Sequence, residues 1–189
     1  MTIDHNILEN LRDHGFIIEK RNIEKLSLAD IKNDRLRFLS DYLAMNFKFA
    51  KFPDEMIIVK SNKISGDLFG QTCYGPLILS ADGKVHLIST EIPNVFKRKI
   101  IIVNSKLDNF VRCYSLYISA LYELRAEFDD LENSAIVIAK NFLKKASSID
   151  PHSVKKYSFW AQYAFLLEEL QAVFTTPWAE YIKTGRLAS

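Results

Sequence analysis

Between residues 100 and 126 the chain changes period once, and that change constrains the fold more than any other feature. Ile100 to Val103 is a β-branched run with the composition of a buried strand. Ser105 follows, with Asp108 three residues on, the spacing of a helix N-cap with an acid in the first turn. Leu107, Phe110, Val111, Tyr114, Tyr117, Ile118, Leu121 and Leu124 then recur every three or four residues as one apolar helical stripe. A strand that passes this quickly into a long amphipathic helix needs a core built from both kinds of element.

The flanking segments extend the pattern. Met56–Lys60, Leu77–Ser80, Lys84–Ser89 and Lys99–Val103 are short apolar runs of strand length, and Ala81-Asp82-Gly83 suits a tight hairpin turn. They predict an antiparallel sheet over about residues 56–103. Ahead of it the chain reads as interrupted helix. One short stripe (Ile7, Leu8, Leu11) stops at Gly15, and a second runs from Ser27 to Lys48, followed by Phe47, Phe49, Phe52 and the stop at Pro53. Behind the sheet, Leu131, Ala135, Ile138 and Phe142 mark a helix ending at Lys144-Lys145, where cations favour a C-terminus. Asp150-Pro151 then reads as the opening of a last helix through Tyr157, Trp160, Ala164, Leu167, Leu170 and Phe174, with residues 177–189 as a tail. Strands bracketed by helices, without βαβ alternation, predict one α+β domain over residues 1–189, its sheet packed by N-terminal and C-terminal helices.

Composition narrows the function. At 189 residues and 48% hydrophobic content the chain supports a real core. A net charge of +2 argues against both a dedicated nucleic-acid binder and a nucleic-acid mimic. No apolar run approaches a membrane span, and Met1 to Arg21 has no signal-peptide core, so a cytoplasmic location is expected. Cys73 and Cys113 are too few for a disulfide framework and are expected reduced and buried, Cys73 the less buried of the two.

Catalytic patterns are scarce. Gly66, Gly70, Gly75 and Gly83 are too widely spaced for a phosphate cradle and read as turns and bulges. His5, His14, His86 and His152 lie in four separate segments without metal-ligand spacing, so no metal or cofactor is expected. A site around Cys73, Tyr74 and His86 is the remaining catalytic alternative, with no recognisable base to activate the thiol. The densest charge cluster is Glu123, Glu127, Asp129, Asp130 and Glu132, interrupted by Arg125. It reads either as a solvated connection between helices or as a docking patch for a basic partner. The aromatics Phe47, Phe49, Phe52, Tyr74, Phe159, Trp160, Tyr163 and Phe165 read as core before they read as interface anchors.

The order of several short motifs adds a family resemblance. Phe69-Gly70, Gly75-Pro76-Leu77-Ile78-Leu79, Asp82-Gly83-Lys84-Val85 and Val103-Asn104-Ser105-Lys106-Leu107-Asp108-Asn109-Phe110 together resemble the SUKH superfamily, most nearly its SUKH-4-type immunity proteins. The resemblance covers about residues 50–125. Lys106 departs from the small polar residue usual there, and Ser65–Gly70 fits loosely. The resemblance implies an α+β fold and a non-enzymatic bacterial immunity protein. Such a protein binds and neutralises a cognate polymorphic or contact-dependent toxin, often a nuclease or deaminase. It implies a protein partner, with no membrane and no direct nucleic-acid contact. On that reading the contact is expected at Glu123, Glu127, Asp129, Asp130 and Glu132. The alternative is a homo-oligomerising scaffold or regulatory adaptor using the apolar surplus of the last helix, and a homodimer is compatible with either.

Overall fold

Local chemistry accounts for most of the elements in a computed structural model, which describes residues 5–22, 47–49, 55–90, 96, 98–127 and 130–169. The first helix, α1 (His5–Asp13), ends where Gly15 takes a positive φ of 80°. There the Phe16 N–H donates to the Leu11 carbonyl at 3.0 Å and turns the chain into strand β1 (Ile17–Asn22). The remaining strands are β2 (Phe47–Phe49), β3 (Glu55–Lys60), β4 (Ser65–Thr72), β5 (Gly75–Ser80), β6 (Val85–Ile88) and β7 (Ile100–Asn104).

The seven strands form one antiparallel sheet, six of them in the order β1-β3-β4-β5-β6-β7 and β2 off that path beside β4. β4 is long enough to serve two neighbours on one edge: β3 pairs with its first half and β2 with its last three residues. The α+β class is as expected, and so are β3, β5, β6, β7 and the hairpin at Asp82-Gly83. Three strands differ from the expectation. β1 and β2 replace segments read as helical. β4 was not foreseen as a strand, although the reading of its glycines as turns and bulges among strands agrees with the bulge it carries between Leu68 and Gly70.

The reason for glycine at position 66 is steric. A Cβ there would fall onto the carbonyl of Leu79 in the neighbouring strand, so only glycine lets β4 and β5 approach this closely. A bulge follows between Leu68 and Gly70.

Register divides the sheet into two faces. On one, Val59, Ile64, Leu68, Ile78 and Ile88 are buried with Leu11 of α1 and Phe16, and Leu8, Ile18, Ile57 and Ile100 pack around them. Each fully buried aliphatic side chain contributes about 1.5–3 kcal/mol. Leu77, Val85 and Leu87 belong to the other face and are fully buried too. A strand buried on both faces reads as a continuous apolar run, which is why β5 and β6 were legible and the more polar β1 was not.

By contact density the chain divides into two compact units, Met1–Asp108 and Asn109–Ser189, the boundary falling in the first turn of helix α2 (Leu107–Ala126). The second unit continues with α3 (Leu131–Ile149) and α4 (Phe159–Glu168). Its core is aromatic. Trp160 lies 5.7 Å from Phe110, 5.9 Å from Phe142 and 4.9 Å from Phe159, and Tyr117 meets Tyr163 edge-on at 5.1 Å. The expectation that these rings are core therefore holds for Phe159, Trp160 and Tyr163, as for Phe47 and Tyr74, while Phe165 is exposed.

Two helix boundaries are corrected. α3 continues past Lys144-Lys145 to Ile149, because Ala146 carries on its buried stripe. Asp150-Pro151 opens a turn and no helix: Asp150 caps α3, its N–H reaching the Ala146 carbonyl at 2.9 Å, and Ser158 is the N-cap residue of α4. Asp followed by Pro is as good a turn signal as a helix start. Buried Ser153 decides for the turn, its hydroxyl donating to the Asp150 carbonyl at 2.8 Å while Ser158 donates to the Ser153 carbonyl at 2.7 Å. The helix expected from Ser27, with Phe52 and Pro53, Leu170, Phe174 and the tail at 177–189, lies outside the described residues.

Candidate functional site

The acidic cluster lies where α2 ends and α3 begins. Glu123 and Glu127 stand on the last turn of α2 and just beyond it, Asp130 is the N-cap residue of α3, and Glu132 is in its first turn. All four are exposed; Asp129 lies outside the described residues. Part of the clustering has a local cause. Carboxylates at a helix N-terminus meet the positive end of the peptide dipole, which stabilises Asp130 and Glu132 by about 0.3–1 kcal/mol each. The Asp130 carboxylate also accepts from the Asn133 side-chain amide at 2.8 Å. Glu123 sits 3.9 Å from the Lys145 ammonium, a separation at which an exposed pair adds little. The four described residues are thus solvated carboxylates at the junction of two helices.

The alternative centre of Cys73, Tyr74 and His86 is not assembled. Cys73 is exposed, against the expectation of burial, while Cys113 is buried as expected. Tyr74 is buried, edge-on to Phe96 at 5.1 Å. Its carbonyl accepts from Thr90 N–H, four residues beyond His86, which itself pairs with Ile78. At about 3.3 Å per strand residue that separates the imidazole from the thiol turn by roughly 13 Å.

His86 belongs instead to a cluster the sequence reading missed. Ser80, Asp82, Lys84 and His86 alternate at two-residue spacing around the β5–β6 hairpin, and that alternation was the available signal. The Ser80 hydroxyl has the Asp82 carboxylate at 2.5 Å and the Lys84 carbonyl at 3.0 Å as acceptors, and His86 Nε2 lies 3.1 Å from the same oxygen. One hydroxyl proton serves the acceptors, so Nε2 is the donor to Ser80 Oγ and Nδ1 carries the lone pair. Nδ1 is buried without a hydrogen-bond partner. Burial holds the His86 pKa below 6.5, against a smaller upward pull from Asp82. Hydrogen bonds from Lys84 and Ser80 hold Asp82 far below the usual carboxylate range.

Serine, histidine and aspartate meet here in the wrong order for nucleophilic catalysis. A catalytic histidine accepts the serine proton on one nitrogen and is steadied by a carboxylate on the other. Here the carboxylate takes the serine proton and Nδ1 has no carboxylate, so the cluster staples a hairpin. Among the described residues, no group of three or more His, Cys, Asp or Glu is placed to hold a metal ion.

Comparison with known proteins bears on what such a scaffold is for. The family model of the SUKH-4 immunity protein matches residues 64–169, more than half of the chain. The chain belongs to the SUKH-4 immunity protein family. The matched stretch starts just ahead of β4 and ends just after α4, so it runs through both compact units. It reaches further towards the C-terminus than the expected 50–125. The residues that carried the resemblance are structural: Gly75 takes a φ of 134° at the head of β5, Asn104 is buried at the end of β7, and Phe110 anchors the aromatic core. The acidic cluster falls within the SUKH-4 stretch as well. The searches of curated proteins and of solved structures returned no match. No helix of the described residues is long and apolar enough to cross a membrane.

Proposed function

We propose that this SUKH-4 protein binds and neutralises a cognate bacterial toxin domain in the cytoplasm, without catalysing a reaction. The observation that carries the reading is the family match over residues 64–169. The contact surface we assign is the acidic cluster Glu123, Glu127, Asp129, Asp130 and Glu132, and its partner a basic toxin face, such as the substrate groove of a nuclease or nucleic-acid deaminase. Exposed Tyr122 on α2 supports this assignment, because a Tyr beside a charged rim is a common interface anchor.

The test pairs the chain with the product of the neighbouring toxin gene. Co-expression should restore growth that the toxin alone abolishes, and the purified proteins should form a stable complex. A toxin that kills equally with and without the chain, and does not bind it, overturns the reading. Reversing Glu127 and Asp130 to lysine tests the surface separately. Association should slow by about tenfold at low salt and lose its salt dependence. An unchanged on-rate with intact protection would keep the function and move the surface elsewhere.

A further inference from the structure

Lys155, Lys156 and Tyr157 stand exposed in the turn between α3 and α4, in positions that cost the fold stability. The Ser158 N–H donates to the Lys155 carbonyl at 2.8 Å and closes a tight turn with Tyr157 at its third position. Tyr157 has a φ of 64° there, the one positive φ among the described residues other than glycine. Such a position ordinarily takes glycine or asparagine, because in the left-handed region a Cβ crowds the following carbonyl oxygen. Burial of the ring offsets only part of that cost, since 40% of Tyr157 stays in water. The two lysines are unfavourable for a different reason. They precede Ser158, the N-cap residue of α4, so their charges meet the positive end of its peptide dipole.

The turn is held firmly all the same. The buried Ser153 and Ser158 hydroxyls donate to the Asp150 and Ser153 carbonyls at 2.8 and 2.7 Å, and the Asp150 N–H ties the segment to the Ala146 carbonyl of α3. Bonds of this kind over-determine the backbone, the condition under which strain persists. What they display is one ring among cations. The Lys156 ammonium lies 5.2 Å from the centre of the Tyr157 ring, and His152, Lys155 and Lys156 are all exposed. No carboxylate nearby in the chain offsets them: from Asn133 to Leu167 the one acidic residue is Asp150, which is buried.

We propose that this turn is a contact for an acidic segment of a protein partner, with Tyr157 as the anchor and Lys155 and Lys156 as the charges that steer it. A rigidly held tyrosine with charge at its rim is the usual make-up of an interface hot spot. A nucleic acid would call for more cations than a net charge of +2 supplies. The inference rests on the toxin reading, since the partner is the toxin that the chain neutralises, but it does not rest on the acidic cluster. Together the two surfaces would be selective. A uniformly basic nucleic-acid-binding protein is attracted by the cluster and repelled by the turn, and specificity needs a repulsive element as well as an attractive one.

Binding of the neighbouring gene's toxin to the full chain, followed by surface plasmon resonance, tests it with variants of the turn. Tyr157→Gly should weaken the complex at least about tenfold, mostly through the off-rate. Its urea midpoint should stay at or above that of the wild type, because glycine relieves the left-handed strain. Tyr157→Phe keeps the ring and should bind within about threefold of the wild type. K155E/K156E should slow association by about tenfold at low salt and by less at high salt. Wild-type affinity in Tyr157→Gly overturns the proposal and leaves the toxin reading standing. A Tyr157→Gly midpoint below the wild type's overturns it too, because the ring would then serve the fold. So does a labelled single-stranded oligonucleotide that binds the wild type and not K155E/K156E, which would give the turn to nucleic acid. A wild-type chain that does not bind the toxin overturns both readings together.

Discussion

Gly66 has no room for a methyl group: the nearest atoms to a built Cβ belong to the backbone of Leu79, which moves only if the β4–β5 pairing moves. Gly66→Ala should therefore cost at least about 2 kcal/mol, read as a lower urea midpoint. An unchanged midpoint would mean that the two strands lie further apart than described. His86 makes a second residue-scale claim, with a definite sign. Its folded pKa lies below the 6.5 of the unfolded chain, so above pH 6.5 both states hold the imidazole neutral and its contribution is intact. As pH falls below 6.5 the unfolded chain takes up the proton first, and stability declines until the folded imidazole titrates as well. Wild type should lose more stability than His86→Gln between pH 7.5 and pH 5, in urea titrations at both values. An imidazole NMR titration with a midpoint above 6.5 would contradict the burial that lowers its pKa.

Elements in this protein are held by their aromatic contacts more than by their caps. Neither the Asp130 nor the Ser158 side chain caps a backbone N–H of the helix that follows it, yet α3 and α4 bring Phe142, Phe159, Trp160 and Tyr163 together with almost no exposure. Phe142→Ala should cost about 3–5 kcal/mol, since it removes rings from both Tyr117 and Trp160. Phe165→Ala, on the same helix as Trp160 but 47% exposed, should stay within about 0.5 kcal/mol. Parallel chemical denaturation of the two variants checks the contrast; equal losses would show that Phe165 packs more tightly than its exposure implies.

For the whole molecule, the SUKH-4 match across both compact units leads us to propose that the chain behaves as one cooperative domain. Thermal unfolding followed by circular dichroism and by tryptophan fluorescence should then give coincident transitions, because both tryptophans, Trp160 and Trp178, belong to the second unit while the far-UV signal reports strands and helices together. Two separated transitions would divide the chain at the start of α2. At this scale the proposed function is electrostatic: charge complementarity to one partner would give speed and selectivity of association.

What the sequence determined by itself was whatever depends on near neighbours along the chain. The passage from Ile100–Val103 into α2, the Asp82-Gly83 hairpin and the apolar runs of β5 and β6 are set by period and turn chemistry over a few residues, so they were readable. The family motifs belong to the same class, since they sit on those elements. The acidic cluster was readable as charge, but its division into helix-end residues and open surface needed the positions of α2 and α3. Tertiary structure decided the rest. β1 became a strand by pairing with β3, and β4 by pairing on both edges. Gly66 was fixed by the approach of Leu79, and Asp150-Pro151 became a turn through the buried Ser153. The order of Ser80, Asp82 and His86 was set across a hairpin. In each case the deciding partner lies across a strand pairing or a buried contact, and the free energy of that contact exceeds the local preference of the residues it overrides.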